Sequence, residues 1–265
     1  MIDEPLTDGA LDPGTWGLEL SVEGPTDAST HRNQGSDQSA GGDDYGGALI
    51  PIVRRTLQEL SGHSAPAFDR MVPAQQCAAV RLSHIFLSTT HMGGRRRPDL
   101  GTRAHKLVQA VVNRHLTNPA RDRVLLVILW DRDGQRSKVT DRDQFNIELK
   151  SKGYPGVVAG VCVEEVEAWL LADVQALAGV FGSGPRHPPT SPEALNDPKT
   201  ALYELLNTEY GGWTDHFGVD ERSKMYARLA EKIRLDELER MCPDGYGCLR
   251  KDLDQAGFPA NFRRR

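Results

Sequence analysis

Val124-Leu125-Leu126-Val127-Ile128-Leu129-Trp130-Asp131-Arg132-Asp133-Gly134 is an unbroken apolar run that ends abruptly in carboxylates and a glycine. A run of this kind reads as a strand buried on both faces, as in a parallel sheet covered by helices. An earlier stretch, Leu18-Glu19-Leu20-Ser21-Val22-Glu23-Gly24-Pro25-Thr26-Asp27, is a second strand that ends in acids. Both strands bring carboxylates to the carboxyl edge of the sheet, where open α/β folds bind their ligands.

Outward from these strands, the chain alternates strand and helix. Leu49, Ile52, Val53, Leu57 and Leu60 recur at helical spacing over 48–60, and 82–88 reads as a buried strand. A helix over 101–116, with Leu107, Val108, Val111, Val112 and Leu116 on its inner face, precedes the Val124 strand. A helix over 141–152, a strand over 156–163 and a helix over 165–180 follow it. The expected class is α/β, a Rossmann-like parallel sheet joined by right-handed crossovers. The Pro- and Gly-dense stretch 182–192 reads as a linker. Helices over 199–207, 221–233 and 235–241 then form a small C-terminal helical lobe, so the division is a loose tail over 1–15, a sheet domain over 16–181 and the lobe over 193–265.

Composition narrows the class. The 265 residues carry a formal net charge of −5, and no apolar run approaches the ~18 residues of a membrane span. The first residues are acidic and lack the hydrophobic segment of a signal peptide, so the expectation is a soluble cytoplasmic protein without membrane partners. Cys77, Cys162, Cys242 and Cys248 lack zinc-site spacing and read as reduced, with Cys242 and Cys248 the one close pair. Charge is unevenly spread. Residues 1–47 hold one basic residue, Arg32, whereas 81–123 hold Arg81, Arg95, Arg96, Arg97, Arg103, Lys106, Arg114, Arg121 and Arg123 against Asp99 and Asp122. Arg95, Arg96, Arg97, Arg103 and Lys106 are the candidate phosphate-binding face; a solvated surface is the competing reading.

Carboxylates crowded at a strand edge repel one another unless a divalent cation neutralises them, and hard oxygen ligands suit Mg²⁺ or Mn²⁺. Glu23 stands where the first strand turns into its loop, with Gly24 allowing close backbone approach. Asp131 and Asp133 point to one side if the strand runs through them. Glu165 and Glu167 repeat that spacing after the next strand, but a helix starting at once would put Glu164 and Glu167 on one face instead. The choice among these three acids stays open. Asp27 serves either the site or a turn. Lys199 begins a helix after Asp197-Pro198, where a cation is disfavoured by the dipole.

Val22-Glu23-Gly24-Pro25-Thr26-Asp27 together with Asp131-Arg132-Asp133-Gly134 resembles the Toprim fold of topoisomerases, primases and the nuclease halves of the overcoming-lysogenisation-defect family. The string from Val163 to Asp173, followed by Asp197-Pro198-Lys199, resembles a narrower group of bacterial Toprim-like proteins associated with phage defence. The likeness covers roughly residues 16–205. It implies a Mg²⁺- or Mn²⁺-dependent nuclease holding a pair of ions, with Glu23, Asp131 and Asp133 as catalytic metal ligands. It further implies that Asp27, Glu165 and Glu167 serve the second metal position and that Lys199 stabilises the phosphoryl-transfer transition state. DNA or RNA is then the substrate, an ATPase the implied partner, and self-association is left open. No tyrosine-bearing cleavage domain of the topoisomerase kind is evident. The competing reading is a catalytically weak Toprim shell, a regulatory subunit of a defence complex with an ATPase.

Overall fold

The computed structural model describes residues 17–22, 47–62, 77–81, 124–132, 137–151, 156–182, 191–210 and 219–258. Four strands form one sheet: β1 (Gly17–Val22), β2 (Cys77–Arg81), β3 (Val124–Asp131) and β4 (Val157–Cys162). All pairings are parallel and the order is β2-β1-β3-β4. The α/β class with a helix-covered parallel sheet is therefore observed. The progress of the chain across the sheet reverses between β1 and β3, and the carboxyl end of that crevice is where doubly wound sheets take ligands.

The helices are α1 (Leu49–Leu60), α2 (Ser137–Ser151), α3 (Val166–Leu170), α4 (Val174–Phe181), α5 (Pro198–Tyr210), α6 (Val219–Lys232), α7 (Leu235–Met241) and α8 (Cys248–Ala256). A 3-10 turn at Pro192–Ala194 precedes α5, and a π-turn at Pro243–Gly247 joins α7 to α8. Among the described residues, no helix is long and apolar enough to cross a membrane.

Side-chain alternation explains the layers. Leu125, Val127 and Leu129 of β3, with Leu18 and Leu20 of β1, face a large cluster that also holds Ile52, Leu57, Trp169, Tyr226, Leu235 and Leu249. Leu126, Ile128 and Trp130 face the opposite side, where Phe145 and Leu149 of α2 cover them together with Val157, Ala159 and Val161 of β4. The unbroken apolar run of β3 is thus divided by its period of two between two helical layers. Residues from α6, α7 and α8 belong to the same cluster as those of β1. Gly160 permits the closest part of this packing: a Cβ there would meet Leu129 Cδ2 at 2.6 Å and Leu249 Cδ1 at 3.0 Å.

Several expectations change. The single helix expected over 165–180 is two helices, broken at Leu171–Asp173, where the Asp173 carboxylate caps α4 by accepting from Gln175 N and Ala176 N. The helix expected over 141–152 starts earlier, at Ser137. A strand lies at Cys77–Arg81, whereas the expected strand at 82–88 and helix at 101–116 lie outside the described residues. Helix α8 and the π-turn before it were not anticipated.

Candidate metal centre

The carboxyl ends of the parallel strands lie along one edge of the sheet. β1 ends at Val22, paired with Leu129, and β3 ends at Asp131, paired with Cys162 of β4. Asp131 is half-buried. Its backbone oxygen accepts from Lys138 Nζ at 2.6 Å. Lys138 is only 6 % exposed and lies in the first turn of α2, where the helix dipole disfavours a cation. Its position is repaid by this bond, which ties the start of α2 to the end of β3.

Beyond β4 the three glutamates take three different courses. Glu164 is buried and adopts a left-handed backbone, φ 62°, a conformation uncommon outside glycine. Its Oε1 is ion-paired with Arg132 Nη2, so the residue after Asp131 is clamped to the residue two beyond Cys162. The Arg132 backbone N–H also donates to Cys162 O at 3.0 Å. Glu165 is half-buried at the N-cap position of α3, and its Oε2 accepts from Lys199 N at 3.2 Å. Glu167 is buried in α3, where its Oε1 accepts from Tyr226 OH at 3.0 Å. Burial, with the Glu167 charge second, pushes the Tyr226 phenol far above its ordinary range.

Lys199 is half-buried in the first turn of α5. Two carboxylates attend that helix start, Glu165 at Lys199 N and Asp197 Oδ1 at Thr200 N, 2.8 Å. The backbone N–H of Thr200 is the leading reason the Asp197 carboxyl lies below its usual range. An acidic helix start explains the tolerance of Lys199 there.

Next to this edge lies a further acid that sequence reading missed. Glu193 of the 3-10 turn is buried and accepts from Asp244 N at 3.0 Å and Gly245 N at 2.7 Å. Burial outweighs those two bonds and pushes its carboxyl up to about 7. A Cβ on Gly245 would meet Glu193 Oε1 at 2.6 Å, so glycine is what lets the π-turn close on the acid.

The residues expected at the site divide accordingly. Asp131, Glu165 and Lys199 are at the carboxyl edge or tied to it, and Glu167 is turned into the core. Glu23, Asp27, Asp133, Arg95, Arg96, Arg97, Arg103 and Lys106 lie outside the described residues. Among the described residues no group of three or more His, Cys, Asp or Glu side chains converges as a metal cage. Asp131 and Glu165 are hard oxygen donors of the kind Mg²⁺ and Mn²⁺ take, and both remain partly accessible. Those two fit such an ion by their chemistry; Glu165 Oε2 also accepts from Lys199 N, and Glu164 and Glu167 are bound to Arg132 and Tyr226. Arg132 and Lys138 were the missed contributors, and Glu164, one of the three acids left open, is the one that Arg132 engages. Lys138 was missed because the helix was expected to begin only at 141, whereas it begins at Ser137.

The model of the family described as "Domain of unknown function (DUF4276)" matches residues 56–244, from within α1 to the π-turn. No curated protein and no solved structure matches the chain.

Proposed function

We propose that this chain, which belongs to the DUF4276 family, is a Toprim-type, metal-dependent nuclease that hydrolyses phosphodiester bonds in DNA or RNA. The observation that carries the reading is the placement of Asp131 at the carboxyl end of β3, paired with Cys162 of β4 three residues before Glu165, with the reversal of strand order between β1 and β3 on its other side. Asp131 and Glu165 would hold a divalent cation, with Glu23, Asp27 and Asp133 as the further ligands implied by the Toprim resemblance. Such an ion, when bound, supplies Lewis-acid stabilisation of charge on the phosphoryl oxygens.

The remaining work falls to side chains of the chain itself. Lys138 fixes the backbone of Asp131, and Glu164 anchors Arg132 beside it. These contacts hold the carboxylate in place before substrate arrives, which reduces the reorganisation that binding would otherwise require. Glu165 couples the edge to α5 and so to Lys199, the proposed cation for the transition state. The basic stretch with Arg95, Arg96, Arg97, Arg103 and Lys106 would supply phosphate contacts. A role as effector of an antiphage system with an ATPase partner rests on the resemblance alone.

A catalytically weak binding subunit is the second reading, and the engagement of Glu164 and Glu167 by Arg132 and Tyr226 favours it. Incubating the purified chain with labelled plasmid, single-stranded DNA and transfer RNA, with and without Mn²⁺, separates the two. Cleavage that needs Mn²⁺ and is lost in Asp131→Ala supports the nuclease. Binding without cleavage on every substrate supports the shell.

A further inference from the structure

We propose that the start of α1, together with the hydroxyl of Ser223, is a subsite for one phosphate group of a nucleic-acid backbone. The choice of ligand rests on the phosphodiester reading above, and the site rests on the donors that meet there.

A helix start presents N–H groups that its own carbonyls cannot take, and these carry the positive end of the helix dipole. α1 is 12 residues long, its N-cap is Ala48, which makes no side-chain cap, and its first turn holds no acid. Pro51 lacks an N–H, so Leu49 and Ile50 supply the donors of that turn. Both are buried, as are Gly47 and Ala48, and among the described residues no backbone acceptor meets either N–H. Gly47 enters the helix at φ 104°, a backbone conformation that other residues rarely adopt.

Ser223 of α6 is an independent sign of a ligand. Its carbonyl accepts from Gly47 N at 3.2 Å, and further along the same helix Ala230 O accepts from Arg55 Nη1 at 2.6 Å. α1 and α6 therefore lie side by side and run the same way. Helical carbonyls point toward the C-terminus of their helix, whereas side chains lean toward its N-terminus. With the Ser223 carbonyl at Gly47, the Ser223 hydroxyl is thus aimed toward the start of α1. Ser223 is 1 % exposed, and its Oγ has no partner. A buried hydroxyl left unpaired is costly, and an anion oxygen that accepts from it removes the cost. Two N–H groups from one side and an O–H from another suit a tetrahedral oxyanion better than a planar carboxylate.

The same end of α6 reaches the carboxyl edge of the sheet. Tyr226, one turn beyond Ser223, donates through its OH to Glu167 in α3, the first helix after β4. α1 itself follows β1, the strand beside β3 at the reversal of strand order. A helix start at such a crevice is where doubly wound sheets take phosphate groups. A backbone phosphate held there directs the neighbouring phosphodiester toward the edge that carries Asp131 and Glu165.

The test uses the full purified chain in EDTA, so that binding is read without cleavage. Inorganic phosphate is titrated by calorimetry and then displaced by a DNA hexanucleotide, or its RNA counterpart, lacking terminal phosphates. The unaltered chain should bind phosphate, and an oligonucleotide should displace it. Ser223→Ala should weaken both ligands about tenfold, the loss of one hydrogen bond to an anion. Its melting temperature without ligand should stay level or rise, because the substitution removes an unpaired buried hydroxyl. A purely structural hydroxyl would do the reverse, lowering the melting temperature and leaving affinity alone. The proposal is overturned if the unaltered chain binds no phosphate, or if folded Ser223→Ala binds both ligands as tightly as the unaltered chain. Phosphate binding that neither oligonucleotide displaces overturns the backbone assignment in favour of free phosphate. Mn²⁺-dependent cleavage judges the nuclease reading separately: Ser223-dependent oligonucleotide binding without cleavage sinks that reading and leaves the subsite standing.

Discussion

Asn146 lies against Ala159 as one strand lies against another: its Nδ2 donates to Ala159 O and its Oδ1 accepts from Ala159 N, both at 2.9 Å. β4 is the last strand in the sheet order, so among the described residues the outward N–H and C=O of Ala159 have no neighbouring strand. The amide of a single α2 side chain takes that place and closes an edge that would otherwise template pairing with another chain. Its Nδ2 also donates to Asp252, which draws α8 into the same closure.

Asn146→Ala leaves a buried donor and a buried acceptor on Ala159 without partners, at a cost of roughly 2–4 kcal/mol. Urea denaturation should show that loss, together with a greater tendency to aggregate. A loss below about 1 kcal/mol would mean that water satisfies the edge and that the amide is dispensable.

A second polar lock sits at the break between α3 and α4, which the sequence pattern ran together, and ties it to the start of α7. Asp173, fully buried, accepts from Arg234 N and Nε at 2.9 Å each and from Arg234 Nη2 at 3.1 Å, besides capping α4. Burial works against its charge, but the Arg234 and Ala176 bonds outweigh it and hold the carboxyl below its usual range. A depressed carboxyl contributes stability that is present above the unfolded carboxylate range and is lost as pH falls through the folded one. Asp173→Ala should cost about 2–4 kcal/mol at neutral pH. Its deficit relative to the unaltered chain should shrink in acid; a pH-independent deficit would assign the loss to packing alone.

The apolar runs of β3 and β4 were legible because burial on both faces leaves their strand interiors without polar residues, and β1 was legible by the alternation of Leu18, Leu20 and Val22. The periodicity of Leu49, Ile52, Val53 and Leu57 placed α1 for a similar reason. The break at Asp173 was not legible. Its apolar period continues from Trp169 through Ala176, and the partner that makes the break stable, Arg234, lies 61 residues away. Helix α8 shows two buried leucines, Leu249 and Leu253, among charged residues, and gains its place from the space above Gly160. Asp131 and Glu165 could be read as edge acids because β3 ends at the one and β4 ends three residues before the other. Which of Glu164, Glu165 and Glu167 stays accessible depends on Arg132, Lys199 and Tyr226, contacts that spacing along the chain does not encode.

Glu193 gives the fold an inverse acid dependence. Its carboxyl is raised from 4.5 to about 7, with burial the leading cause and Asp244, Gly245 and Arg132 modifying it. Between those values the folded chain keeps a proton that the unfolded chain has released, so stability falls as pH rises through the window. The full difference corresponds to about 3 kcal/mol. Glu193→Gln should flatten the pH 4.5–7 slope in thermal melts, while its amide nitrogen, unable to accept from the backbone N–H it faces, lowers stability at every pH. An unchanged slope would remove Glu193 as its source.

Asp131 and Glu167 separate function from stability. Asp131 is half-buried at the open end of β3, and what α2 holds there is its backbone oxygen, through Lys138. Asp131→Asn keeps the backbone, so the melting temperature should move little while Mn²⁺-dependent cleavage falls about a hundredfold or more. Glu167 is buried, with Tyr226 OH donating to it. Glu167→Ala should leave that phenol without its acceptor and cost about 2–3 kcal/mol. Any cleavage lost in this second variant should return when assays are run well below its melting temperature. The pair of measurements is cleavage rate against fraction folded. If Asp131→Asn cleaves like the unaltered chain under limiting metal, Asp131 is no metal ligand. If Glu167→Ala stays fully folded yet inactive, the metal site reaches into α3, and Glu167 must turn away from Tyr226 to serve it.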